Sequence, residues 1–124
     1  EQTAVESVGP GDLAAMTKLK NTRFGDTIGA EDRGLVLPEI VMPEAVVRRG
    51  VSVASRQEED KLGEALNRMA EEDPTFRHYR DPATEDHIIQ GMGDIHLNIV
   101  LERLKRRYGI EASTFPPHVA YKET

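Results

Sequence analysis

Between Val46 and Phe115 the spacing of the apolar residues switches from a period of two to the helical period of about 3.6 and back, twice over. No other feature constrains the fold as strongly. Val46 to Ala54 is β-rich, with Val47, Val51 and Val53 in one phase. Ser55-Arg56-Gln57-Glu58 has the form of a capping box, in which the Ser55 hydroxyl accepts from the backbone N–H near Glu58. Leu62, Ala65, Leu66 and Met69 follow at i, i+3, i+4 and i+7, one apolar stripe of a helix. Asp73-Pro74 ends it, because the residue before proline avoids the helical region.

Thr75 to Arg80 alternates as a strand does, Asp81-Pro82 through Asp86 is a turn, and His87 to Met92 reads as the next strand. Gly93-Asp94 opens a second helix with an acid at the positive end of its dipole. Leu97, Val100, Leu101, Leu104 and Tyr108 form its apolar stripe, and Gly109 follows a basic last turn as a stop signal. Ile110 to Thr114 is the final strand. The predicted order is strand, helix, strand, strand, helix, strand. Two right-handed crossover units of this kind make an α+β fold, the ferredoxin-like βαββαβ sandwich, with a four-stranded antiparallel sheet and both helices on one face. Many functions use that fold, so it does not name one. Arg49 shares the inward phase of Val47 and Val51, so the first strand is expected to fray or bulge at its start.

The flanks have a different texture. Residues 1–36 carry turn signals at Gly9-Pro10-Gly11, Gly25-Asp26 and Gly29 with short apolar runs between, read as a few β-strands forming the C-terminal part of an incomplete β-barrel domain. Residues 37–45 form a linker, 46–115 the ferredoxin-like domain, and 116–124 a linker toward a further, absent domain. The chain opens at Glu1 without an initiator Met, which points to an excised fragment, and orphaned strand edges are expected to make such a fragment dimerise.

Composition removes several function classes. No cysteine is present, which excludes disulfides, cysteine metal sites and thiol catalysis. No apolar run reaches the roughly 18 residues of a membrane helix, and no basic-then-apolar leader opens the chain, so a cytoplasmic location without a membrane partner is expected. The net charge of −6 speaks against a surface that grips nucleic acid throughout. The charge is uneven, however. Residues 56–73 hold seven acids against three bases, whereas 94–108 hold Arg103, Lys105, Arg106 and Arg107 against Asp94 and Glu102, a local basic knob.

Catalytic motifs are lacking. Gly29 and Gly34 have phosphate-loop spacing, but Leu35-Val36 stand where the lysine is needed. Gly91-Met92-Gly93 is read as a sharp strand-to-helix turn. His78 and His87, in neighbouring strands, could pair across them but have no further ligand at metal spacing. His96, in the first turn of the second helix, is read either as a partly buried histidine in a local hydrogen bond or as an interface residue. The inner strands carry no aromatic residue on which RNA bases could stack. By its chemistry the chain is a binding or relay module.

Four blocks then carry a resemblance: Leu19-Lys20-Asn21-Thr22 with Gly25-Asp26-Thr27; Ala70-Glu71-Glu72-Asp73-Pro74-Thr75-Phe76; Gly91-Met92-Gly93-Asp94-Ile95-His96-Leu97; and Val119-Ala120-Tyr121-Lys122-Glu123-Thr124. In this order and spacing the chain resembles the elongation factor G family of ribosomal translocases, from late in the second domain through the third. The resemblance implies a β-barrel second domain and a ferredoxin-like third domain. It also implies that GTP and magnesium are bound by a GTPase domain outside this segment, which has no cofactor of its own. The partners it implies are the ribosome, through a small-subunit protein and rRNA, and the parent's own GTPase switch regions, whose state the third domain relays during translocation of tRNA and mRNA. By motif match His96 and Arg103 would face the switch and fusidic-acid region and Pro43 would lie in the hinge leading to it, while Arg103, Arg106 and Arg107 would supply charge near rRNA or the switches.

The chain departs from the family pattern in three places. Ala45 replaces a second proline, Arg48-Arg49-Gly50 interrupts an apolar strand, and Phe115-Pro116-Pro117-His118 replaces a Gly-Lys-Pro-Gln type segment. A recycling, rescue or protection paralogue therefore stands beside the translocase. Two readings from other classes are a small ligand-binding regulatory ferredoxin-like module and an independent RNA-binding domain.

Overall fold

Ser55, three residues beyond the end of the first strand, starts the first helix. Its extended backbone (φ −138°, ψ 155°) turns the chain, and its hydroxyl accepts from the Glu58 N–H at 3.3 Å. In the computed structural model, which describes residues 3–118, the elements are β1 (Val47–Ser52), α1 (Arg56–Glu72), β2 (Arg77–Arg80), β3 (His87–Gly91), α2 (Asp94–Tyr108) and β4 (Ser113–Phe115). The strands form one antiparallel sheet in the order β2-β3-β1-β4. This is the expected ferredoxin-like α+β fold.

Both helices close over the same sheet face. Leu62, Ala65, Leu66 and Met69 of α1 and Leu97, Val100 and Leu104 of α2 form one cluster with Val51 of β1, Ile89 of β3, Phe76 and Ile110. Leu62, Leu66, Ile89 and Leu104 are completely enclosed, and each such side chain contributes about 1.5–3 kcal/mol of burial free energy. At the end of α2, Gly109 takes a left-handed conformation (φ 66°) that glycine adopts at little cost. The Ile110 N–H then donates to the Leu104 carbonyl at 3.2 Å, folding the Ile110 side chain back into the core. Ile110 was expected within the last strand. Anchored in this way it delays β4 to Ser113.

Three further expectations change. Val47↔Gly91 through Val51↔His87 pair in unbroken register, so β1 neither frays nor bulges at Arg49. Arg49 reaches out of the helix-facing side of the sheet and meets Asp94 at the start of α2, 2.5 Å away. His78 and His87 are not opposite each other, because His78 pairs with Ile89 and His87 with Arg80. The strands expected within residues 1–36 are not formed: residues 3–45 hold turns and extended segments only, and Leu13, Val36 and Val41 are largely exposed. Among the described residues their apolar runs find no second layer to pack against, and the orphaned strands expected to drive dimerisation are not formed there. Residues 119–124, including the fourth block of the resemblance, lie outside the described residues.

The segment before β1, residues 3–45 and hereafter the leader, is hydrogen-bonded to the sheet where the two meet. The Val46 N–H donates to the Gly91 carbonyl at 3.0 Å, and the Gln90 amide donates to the Ala45 carbonyl at 2.7 Å.

Candidate functional site

Helix α2 follows β3 through Gly91-Met92-Gly93 with no side-chain cap on its first turn. Gly91 is required there by close packing: a Cβ at this position would stand 2.7 Å from the Leu97 side chain and 3.0 Å from the His96 ring. The His96 ring fills that corner. Its Nδ1 accepts from the Met92 N–H at 3.1 Å, so the ring hydrogen sits on Nε2, which donates to Asp73 Oδ2 at 2.9 Å. Phe76 meets the ring edge-on, with centroids 6.3 Å apart.

Asp73 is the residue that ends α1. One carboxylate oxygen accepts from the Thr75 hydroxyl at 2.6 Å and from the Thr75 N–H at 2.9 Å, and the other accepts from His96. Partial burial would raise its pKa, but the Thr75 and His96 hydrogen bonds together outweigh that and hold the carboxyl below its usual range. The C-terminus of α1 is thereby bonded to the N-terminus of α2. From the last turn of α2, Arg107 forks onto both oxygens of Glu72, the residue next to Asp73, at 2.9 and 3.0 Å.

At about 3.6 residues per turn, the residues singled out on α2 separate into two groups. His96 and Arg107 share the flank toward α1, Arg106 lies on the outer ridge with Ile95 and Ile99, and the exposed Arg103 stands between the two. His96 and Arg107 are thus committed to α1 carboxylates. Lys105 is taken by Glu111 at 2.6 Å, which raises its pKa and lowers that of Glu111. Arg103 and Arg106 are exposed and form no ion pair among the described residues. The basic knob therefore reduces to these two arginines. Pro43 is exposed in the extended leader, three residues before the bond at Val46, and is not part of the α2 cluster.

Sequence reasoning did not single out the outward apolar residues. Met92, Ile95 and Ile99 are 38%, 78% and 44% exposed and form a ridge that continues into Arg103 and Arg106. The signal was present, since Ile95 and Ile99 are spaced i, i+4 off the phase of the buried stripe. Asp73 and Thr75 were also missed as His96's support, although aspartate two residues before a threonine is a turn signature that can be read directly.

Among the described residues this geometry offers no activated nucleophile and no cluster of metal ligands. It offers a rigid two-helix corner with an apolar and basic outer rim. A profile described as Elongation Factor G, domain III matches residues 42–116. A crystal structure of a protein from Thermus thermophilus is similar at 34% identity with a TM-score of 0.59; the match covers 66% of this chain and 12% of that one. The chain thus spans about one-eighth of that protein's length.

Proposed function

Because this chain belongs to the elongation factor G domain III family, we propose that it is the relay domain of a translational GTPase that works on the ribosome. In this reading GTP and magnesium are held by a domain outside the chain, and the parent acts in the cytoplasm. The chain itself carries position and not chemistry. The observation that carries the proposal is the corner formed by His96, Asp73 and the Arg107–Glu72 fork. It fixes α1 and α2 to each other while Ile95, Ile99, Arg103 and Arg106 face outward unpaired. A body that relays a switch must move as one unit and must present contacts at its rim. The apolar ridge suits the parent's switch segments and the two arginines suit rRNA phosphate or an acidic protein surface. Translocation is the step such a relay serves.

The test is GTP hydrolysis by the full-length parent, with and without ribosomes. Wild type is expected to be stimulated, and Arg103→Glu with Arg106→Glu to reduce the stimulation at least about fivefold while leaving intrinsic hydrolysis unchanged. A wild-type parent that hydrolyses GTP without any ribosome stimulation overturns the proposal.

A further inference from the structure

The sheet face turned away from the helices has its own chemistry. Register sets Arg77 of β2, Gln90 of β3 and Arg48 of β1 side by side in one row. The next row runs Tyr79, Ile88, Gly50, Phe115. Gly50 and Ile88 are buried in the middle of it, and Phe115 lies so close over Gly50 that a Cβ there would overlap the ring. His118 stacks on Phe115 at 5.1 Å and reaches Asp86 at 2.7 Å, so that this carboxylate is occupied. Tyr79 stays 39% exposed.

Arg49, Arg80 and Arg107 all have carboxylate partners, whereas Arg48 and Arg77 are exposed and have none among the described residues. Asp26 and Glu39 of the leader line the groove beside Arg77 and mark its acidic border.

We propose that this open face binds single-stranded RNA, with Arg48 and Arg77 on the phosphates and a base stacked on Tyr79. The two arginines are two strand spacings apart, about 10 Å, and the Tyr79 row lies about 7 Å further along the strands. Planar guanidinium forks match phosphate oxygens. Arginines alone would suit carboxylates equally well; the exposed ring beside them selects a nucleotide, whose base offers a face to stack. The absence of aromatics from the inner strands argued against RNA, but the flanking strands β2 and β4 deliver Tyr79 and Phe115 to the same row. The inference is independent of the ribosomal reading, since it concerns the other side of the sheet and requires neither a GTPase domain nor a ribosome.

The experiment is fluorescence anisotropy of a labelled single-stranded RNA of about ten nucleotides with the 124-residue chain, over roughly 50–200 mM salt. Saturable binding is expected. Arg48→Glu with Arg77→Glu should weaken it at least about tenfold and reduce the log–log salt slope by about 1.4, two phosphate contacts' worth. Tyr79→Ala should weaken it at least about fivefold, with Tyr79→Phe close to wild type. The uncharged pair Arg48→Gln with Arg77→Gln guards against misfolding and should give the same fall in slope. No saturable binding at the lowest salt, an unchanged slope in both arginine pairs, or tighter binding of a poly-glutamate peptide than of RNA overturns the proposal. The last result would make the face a protein-docking surface.

Discussion

His96 Nε2 stands 2.9 Å from Asp73 Oδ2, joining the first turn of one helix to the residue that terminates the other across 23 positions of sequence. Because the same ring also accepts from the Met92 N–H, one side chain fixes three segments at once: the end of α1, the end of β3 and the start of α2.

Removing that ring should be costly for a residue that is not fully buried. His96→Ala leaves the Met92 N–H and one Asp73 oxygen without their partner, and a loss of about 1–3 kcal/mol is expected in urea unfolding. Ile95→Ser, one residue away but facing outward, should stay within about 0.5 kcal/mol of wild type. Equal effects from the two would show that His96 supports nothing.

Acid should weaken the fold in two steps. Burial, aided by the nearby His87, pushes the His78 pKa below its ordinary 6.5, so the native state favours the uncharged ring. The stability this gives is complete above the unfolded value and is lost as pH falls through the native one. Asp73 is also depressed, from 3.8, so its contribution is lost at still lower pH. The free energy of unfolding, measured from neutral pH downward, should decline below about 6.5 and again below about 4. His78→Gln should remove the first decline and Thr75→Val should reduce the second. A profile unchanged in both variants refutes the assignment.

Gly50 and Phe115 should be energetically coupled. Gly50→Ala forces a methyl into the Phe115 ring and should cost about 1–3 kcal/mol. In Gly50→Ala with Phe115→Ala the clash is gone, so the pair should cost less than the two single changes added together, with a coupling above about 0.5 kcal/mol. A double-mutant cycle that closes additively would show that the ring moves aside freely.

Arg49 makes the opposite case. It stands in the phase of Val47 and Val51 and pairs only with the exposed Asp94, their side chains 39% and 64% accessible. Such a pair contributes at most about 1 kcal/mol, while a valine there would extend the apolar face of β1. Arg49→Val should therefore match wild type or exceed it by up to about 1 kcal/mol in unfolding experiments. A loss greater than that would show the ion pair to be structural.

The elements of the fold were legible where a local rule and the tertiary demand agreed. Ser55, the Leu62-to-Met69 stripe, Asp73-Pro74 and Gly109 each end or begin an element for a reason contained within a few residues. Ile110 was misplaced because its side chain answers to the core rather than to the strand's alternation. Arg49 was expected to disturb β1, but nothing in the local sequence shows that Asp94, 45 positions away, waits at the start of α2. The candidate site was half legible. The Gly91-to-Leu97 block marked His96, but its anchoring to Asp73 depends on how two helices cross, and the split of the basic knob depends on which carboxylates α1 presents. The leader's apolar runs were read as strands because period alone does not reveal whether a second layer exists.

The attachment of the leader has a mechanical consequence. Val46 is bonded to Gly91, Gln90 holds Ala45, and the next residue, Met92, donates to His96, which in turn holds Asp73. A pull on the chain upstream of Ala45 is therefore not absorbed by a slack tether. It loads the central strand β3 in shear and passes through a single imidazole to the ends of both helices, so that force entering at one point of the domain is carried by all of it.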